Sequence, residues 1–412
     1  MKGGINFLIR GTTLAAKFFF LIFLAKVYEE RVLGLYSLAY STILLVRFIL
    51  GFEYYTYTGR IISKTNNKKR IGIVISDHFG FLFISTFIAA FIYLLVLFFP
   101  TVLDDYLIIL LFIVIFEIWG NEIYRLLIYM DQQIRASVLM LVRSGLWMFV
   151  LIGIYIIFGK SYSLETIFNY WLVFALVSCA VGIPIINKIT DGVSIKLLTP
   201  MQYYNRIKKA FYLFVNTVSH RLILTIDKYM VTYFVGVEAT GIYSFYVGVA
   251  ASLNSMIDAG VTSIYYPRLI STYYSNLKRF TRIRKKFKFR LLFLSIALII
   301  AYGILIYPII IFIDKSSYVH FLYVFYLLLI SFGLLSISSL FHYDLYVPGH
   351  DFKIGMTSFI GTVFFLISGF VFPIYLGMFG VALSLFLSFI TIGILKYLIR
   401  PNGKNFIFRS KN

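Results

Sequence analysis

Thirteen ionisable side chains lie in or at the edges of sequence stretches apolar enough to cross a membrane. Eight are cations, Arg10, Lys17, Arg47, Arg125, Arg143, Arg221, Lys228 and Lys396, and five are acids, Glu53, Glu117, Glu122, Asp227 and Asp258. A charge near the centre of a spanning helix costs at least ~2.5–3.5 kcal/mol when it faces lipid. So many charges must therefore face a wet interior or one another. Spacing supports this: Arg10 and Lys17 are nearly two helical turns apart with Thr13 between them, and Tyr40, Arg47 and Tyr54 follow the same rule. In a later helix, Arg221, Thr225 and Lys228 form one polar stripe and Asn216, His220 and Asp227 an adjacent one.

These charges differ in what they can do. Lys396, Arg143 and Arg125 sit near helix ends, where a long stem lets the charge snorkel to the interface. Glu122 and Arg125, three residues apart, neutralise each other. Glu117, with Asn121, is either a structural partner or an ion or proton site, and Asp258 and Asp227 are further candidates for ion coupling. Arg10, Lys17, Arg47 and Arg221 lie several residues inside apolar runs and are the candidate substrate-binding residues. An interior with more cations than acids suits an anionic cargo, and the planar arginine fork suits phosphate.

The elements that must position these residues follow from composition. Of 412 residues, 60% are hydrophobic and only 13% charged, against roughly a quarter charged in soluble domains. Apolar runs of roughly 20 residues recur along the chain, which is the span of a transmembrane helix. The expected spans are 5–25, 35–58, 79–99, 106–128, 138–158, 167–187, 209–235, 241–265, 290–313, 319–342, 355–375 and 378–399. The fold class is thus all-α integral membrane, with about 12 transmembrane helices. The first span carries Arg10 and Lys17 and has no small-residue cleavage site after it, so it is read as a helix of the mature protein.

The net charge of +21 is a topology signal, because 26 of the 38 Lys and Arg fall in one alternating set of connections and only four, Lys26, Arg31, Lys160 and Lys315, in the other. The basic set includes the 60–77 loop, the 188–209 stretch, the 268–290 stretch and the tail from Arg400. Both termini are therefore expected on the cytoplasmic side. This placement argues against nucleic acid as a partner. Residues 278–290 set Phe280, Ile283 and Phe287 at helical spacing among eight cations, as expected of a helix lying on the inner leaflet. One cysteine and five histidines without ligand spacing leave no metal or redox site, and no cofactor is expected. The run from Gly153 to Gly159-Lys160-Ser161 has five residues where a phosphate loop has four, and no strand precedes it.

An internal repeat organises the chain. Gly34-Leu35-Tyr36-Ser37 recurs as Gly241-Ile242-Tyr243-Ser244, and Arg60-Ile61-Ile62-Ser63 as Arg268-Leu269-Ile270-Ser271, so two markers keep their spacing to within one residue. Two parallel six-helix lobes result, residues 1–187 and 209–412, joined by a cytoplasmic linker at 188–208 to which no chemistry is assigned.

The stretch from Leu24 through Lys26, Tyr28, Glu29-Glu30-Arg31 and Gly34-Leu35-Tyr36-Ser37 resembles the first-to-second helix junction of bacterial polysaccharide transporters. Arg221 to Asp227-Lys228 followed by Gly241-Ile242-Tyr243-Ser244 is similar to their seventh-to-eighth junction. These are Wzx-type O-antigen flippases of the MATE/MOP superfamily. The resemblance implies a V-shaped two-lobe bundle, N-in and C-in, in the bacterial cytoplasmic (inner) membrane. It implies as cargo an undecaprenyl-diphosphate-linked oligosaccharide, an O-antigen or capsule repeat unit, moved from the inner to the outer leaflet by alternating access. Arg10, Lys17, Arg47 and Arg221 match the cationic positions of such proteins by helix and polarity, whereas the eighth helix offers Asn254 and Asp258 instead. The partners implied are membrane lipid, the lipid-linked oligosaccharide and H+ or Na+ as counter-ion. Two other readings are weighed: a MATE-type cation-coupled multidrug antiporter, which needs an acidic interior, and a polytopic O-antigen polymerase or ligase, which needs a sizeable catalytic outer loop. The cation excess opposes the first and short outer loops the second, so no enzyme activity is expected.

Overall fold

Every long apolar run becomes a helix because lipid offers the backbone no hydrogen-bond partner. The computed structural model describes residues 2–65, 67–96, 101–190, 192–208 and 210–400; the basic tail beyond Arg400 lies outside the described residues. Among these, ten helices are long and apolar enough to cross a membrane. The 49-residue Asp351–Ile399 run divides at Gly377, whose backbone is left-handed (φ 53°). Phe211–Phe234, at 24 residues, is long enough but carries Arg221, Asp227 and Lys228. Polarity is inverted relative to a soluble protein: Phe87, Phe91 and Ile156 are exposed, while His78, Glu117 and Glu122 are buried. The chain is a multi-pass membrane protein.

By internal contacts the chain forms two units, Met1–Tyr28 with Leu35–Phe214, and Glu29–Gly34 with Val215–Asn412. The first contains α1 (Lys2–Val27), most of α2 (Glu30–Gly51), α3 (Tyr54–Ile62), α4 (Lys68–Val96), α5 (Leu107–Tyr129), α6 (Gln133–Leu141), α7 (Trp147–Phe158), α8 (Leu164–Thr190) and α9 (Pro200–Lys208). Helix α5 is its spine: Ile118, Ile123, Leu126 and Leu127 pack with Ile75 and Leu82 of α4 and Ile186 of α8. The single span expected at 35–58 is two helices, because Phe52 and Glu53 both take positive φ (47° and 53°). Left-handed backbone is costly for residues with a side chain, so a break here must be held by what surrounds it.

The 188–208 stretch, expected to be a plain connection, is pinned to α4. Lys196 donates its backbone N–H to the Ser76 carbonyl (3.1 Å), and Ser194 donates to the Ser76 hydroxyl (3.1 Å). From α9, Arg206 pairs with Asp77 (2.9 Å) and donates to the Tyr54 hydroxyl (3.0 Å). Burial works against the charge on Arg206, but these two partners hold its guanidinium above its ordinary pKa.

The second unit contains most of α10 (Phe211–Phe234), α11 (Val237–Ile257), α12 (Ser263–Ser275), α13 (Leu277–Ile313), the short α14 (Ser316–His320), α15 (Leu322–Tyr346) and α16 (Asp351–Ile399). Here the repeat shows a physical purpose. A Cβ on Gly34 would strike the Val237 carbonyl, and one on Gly241 would strike the Glu30 carbonyl. Residues 34 and 241, 30 and 237, and the ion-paired Arg31 and Glu238 (3.9 Å) share one offset, so the first turns of α2 and α11 meet reciprocally. The basic stretch 278–290, expected along the inner leaflet, runs without a break into the apolar run that follows it. It is the start of the 37-residue α13, and its apolar stripe is covered by protein: Phe280 packs on Tyr273, and Phe287 on Tyr265 and Tyr343. Arg284 is clamped to Asp344 (Nε to Oδ1, 2.6 Å), while Lys278, Arg279, Arg282, Lys285, Lys286 and Arg290 are exposed.

Candidate functional site

Glu117, near the middle of α5, is the centre of a buried charge cluster in the first unit. Its Oε1 accepts from the Trp171 indole of α8 (3.0 Å), and its Oε2 accepts from Arg47 of α2 (2.9 Å). Arg143 lies 3.6 Å from the same oxygen and donates to the Glu117 backbone carbonyl (3.1 Å). Lys17 of α1 adds its charge to the field at this carboxylate. Exposure of the Arg47, Arg143 and Glu117 side chains is 13%, 4% and 3%, so little water screens these pairs.

Local structure aims the two arginines. Arg47 is on the last turns of α2, before the break at Phe52 and Glu53. Arg143 sits in a π-helical turn, Val142–Leu146, between α6 and α7, where Ser144 leaves helical geometry (φ −128°, ψ 15°). Such turns insert a residue and re-aim the side chains around them. Room for the arginine stem comes from Gly120, where a Cβ would sit 2.8 Å from Arg143 Cδ. Arg143 is therefore not snorkelling, as its position near a helix end implied; it is buried against Glu117. No sequence signal pairs residues 26 apart on successive spans, although the glycine at 120 marks the space.

Of the other predicted residues, Arg10 is half-buried in the same unit. Its Nε donates to Ser137 Oγ (3.3 Å), Ser137 is bonded to Asn6, and the guanidinium lies over Tyr124 (6.0 Å). Lys17, Arg47 and Arg143 thus set three cations against the single Glu117 carboxylate, and Arg10 adds a fourth cation to the unit. Glu122 is matched separately by Arg125 (3.0 Å), as its spacing indicated. The aromatic wall beside Glu117, in which Trp171 stacks on Trp147 (5.8 Å, 12°), is buried packing; Tyr40, 5.6 Å from Trp171, is its half-buried edge.

In the second unit, Asp227 is fully buried and pairs with Lys228 (3.2 Å), whose ammonium also donates to the Leu224 carbonyl (2.6 Å). Arg221, half-buried on α10, belongs to a basic cluster with His220, His342 of α15 and Lys396 of α16, which lie within electrostatic reach of one another. The His220 ring stacks on Phe389 (5.7 Å, 24°). Lys396 is 6% exposed, so this lysine too is buried and does not snorkel. Asp258 is exposed on a second π-helical turn, Asp258–Thr262. Asn254, one helical turn before it, accepts a hydrogen bond from Ser336. Among the described residues no group of His, Cys, Asp and Glu could hold a metal ion.

No family model and no curated protein matches the chain in sequence. Solved structures do match in fold. An inward-facing multidrug resistance MATE family transporter of the MOP superfamily aligns over 94% of this chain and 93% of its own, with a TM-score of 0.71 and 15% identity. The lipid II flippase MurJ, in an inward closed conformation, aligns over 95% and 86% (TM-score 0.74, 14% identity). A MOP superfamily transporter from Pyrococcus furiosus, whose description gives reverse polarity of its binding pocket as suggesting a different function, aligns over 96% and 92% (TM-score 0.61, 14% identity). The chain has the MATE/MOP transporter fold.

Proposed function

We propose that this protein is a flippase of the bacterial cytoplasmic membrane that moves an undecaprenyl-diphosphate-linked oligosaccharide from the inner to the outer leaflet by alternating access. In this reading twelve helices cross the membrane with both termini cytoplasmic, the lobes divide at the 188–208 linker, and the lipid tail stays in the bilayer. The observation that carries the reading is the charge balance around Glu117: three cations, Arg47, Arg143 and Lys17, act on one buried carboxylate. A net positive interior at low dielectric holds a diphosphate and repels a cationic drug.

In this reading Arg10, Lys17, Arg47 and Arg221 are the residues that bind the diphosphate. Glu117 is the counter-ion that keeps the two guanidiniums apart and pre-aimed. Both its oxygens are engaged, so a role in ion coupling would require displacing arginine. Asp227 is buried and pairs with Lys228 through Oδ1, and Asp258 is the most accessible of the three coupling candidates. Counter-transport of H+ or Na+ completes the cycle. An inside-negative potential of 100 mV adds about 4–5 kcal/mol if two negative charges cross the whole field.

The second reading is a multidrug antiporter, favoured by likeness to a MATE family transporter. Competition binding on purified protein separates the two. Undecaprenyl-diphosphate oligosaccharide should displace a fluorescent lipid diphosphate, and a cationic dye such as ethidium should not. Displacement by the dye alone would select the antiporter.

A further inference from the structure

A second buried cluster in the first unit contains titratable groups that cargo binding does not use. His78 of α4 is fully buried, and its Nδ1 is hydrogen-bonded to the Thr58 hydroxyl of α3 (2.9 Å). Its Nε2 lies 3.2 Å from Glu122 Oε2 of α5. The other carboxylate oxygen accepts from Arg125 (3.0 Å) and from the Asn121 amide (3.3 Å). Arg125 lies flat on the Tyr55 ring (3.7 Å), and Glu53, 5% exposed at the break between α2 and α3, shares the field of Arg125 and Tyr55.

Charge counting shows what is missing. Glu53 and Glu122 face one fixed cation, Arg125, so the cluster carries a net negative charge while the imidazole is neutral. A proton on His78 balances it. Among the described residues the neighbouring cations are engaged elsewhere: Arg47 of α2, which shares the Phe48 ring with Arg125, pairs with Glu117 (2.9 Å), Arg206 and Lys196 pair with Asp77 (2.9 and 3.9 Å), and on α8 Lys188 is exposed, as is Glu165; Tyr54 meets His78 with its ring (5.2 Å). An uncompensated charge in a low-dielectric interior is costly, so a mobile cation belongs here. The hydrogen bonds suit a proton. Neutral His78 accepts the Thr58 O–H at Nδ1; when Nδ1 is protonated it donates to Thr58 Oγ1, and the hydroxyl turns to the Tyr54 carbonyl one helical turn back.

We propose that His78, with Thr58 and Glu122, is the site at which this transporter binds its coupling proton. The site rests on the transporter reading, but its geometry is independent of the cargo. It is linked to the arginine cluster by two elements. Glu122 and Glu117 are five residues apart on α5, about 7.5 Å along the axis. The left-handed pair Phe52 and Glu53 separates Arg47 from Tyr55 and Thr58, so a change in the Thr58–His78 bond acts across the break that carries Arg47.

The test has two arms, both on the full-length protein with His78→Gln, which keeps a donor and an acceptor but binds no proton, and with Glu122→Gln as the second variant. In proteoliposomes, acidifying the side toward which labelled lipid-linked oligosaccharide moves should raise wild-type transfer by up to about tenfold per pH unit for one coupled proton. His78→Gln should lose the rise. The cargo-free arm follows tryptophan fluorescence in detergent through a jump from about pH 8 to about pH 5.5. Trp171, bonded to Glu117, should report a change in wild type that both variants lack. An unaltered gradient response or an unaltered pH-jump signal in His78→Gln overturns the site. A His78-dependent pH-jump signal without any cargo transfer sustains the site and removes the cargo assignment.

Discussion

Replacing Glu117 with leucine should destabilise the first unit more than any other single change in the arginine cluster. The variant leaves the Arg47 and Arg143 guanidiniums facing each other without the shared carboxylate, and the Trp171 indole without its acceptor. Removing one member of a buried ion pair costs about 3–5 kcal/mol, because the remaining charge is left uncompensated. For a unit of about 200 residues, 1 kcal/mol corresponds to about 2–4 °C, so the melting temperature in detergent should fall by about 6–20 °C. The reasoning also predicts a rescue. Adding Arg143→Leu removes the more deeply buried of the orphaned cations and should recover more than half of the loss, at least about 1.5–2.5 kcal/mol. Differential scanning fluorimetry on the two single variants and the double variant measures it. A Glu117→Leu melting temperature within about 2 °C of wild type, or a double variant less stable than either single, would refute the account of the cluster.

Three further outcomes follow from other parts of the fold. Gly241→Val and Gly34→Val should each lower stability by about 1–3 kcal/mol, the usual range for overpacking, and to a similar extent, because each side chain would strike a carbonyl on the partner turn; a wild-type melting temperature for either would contradict the reciprocal contact. Asp77→Asn weakens the hold of α4 on Arg206 and Lys196, so limited trypsin should cut within 196–208 several-fold faster, as read by mass spectrometry, with no change expected if the linker is already free. Arg125→Gln leaves Glu122 and Glu53 without their cation and should cost about 3–5 kcal/mol, with Arg125→Gln/Glu122→Gln recovering most of it.

How much of this was legible in the sequence depends on direction along or around a helix. Axial position is written in hydropathy: the span expected at 106–128 is observed at Leu107–Tyr129, and that at 167–187 lies within Leu164–Thr190. Rotation about the axis is not. Spacing placed Arg47 and Glu117 inside the bundle but could not make them partners, and it sent Arg143 and Lys396 to the interface although both are buried. The π-helical turn that aims Arg143 has no residue signature in Val142-Arg143-Ser144-Gly145-Leu146, since it is imposed by packing around Gly120 and against Thr13. His78 was passed over as one of five scattered histidines, because its partners Thr58 and Glu122 are 20 and 44 positions away and only the fold adds them together. The repeat, by contrast, was readable because both halves keep the small residue that a backbone crossing needs.

The central claim is that the buried cations hold a lipid diphosphate while it changes leaflet, and leaflet transfer tests it most directly. Purified protein in liposomes with fluorescent undecaprenyl-diphosphate oligosaccharide, read by a membrane-impermeant quencher, should show transfer that Arg47→Ala and Arg221→Ala each slow by at least about tenfold, the loss of roughly 1.4 kcal/mol or more of charge-assisted bonding. Wild-type protein that leaves the lipid in its original leaflet while exchanging cationic dyes, or variants that transfer it at the wild-type rate, would contradict the account.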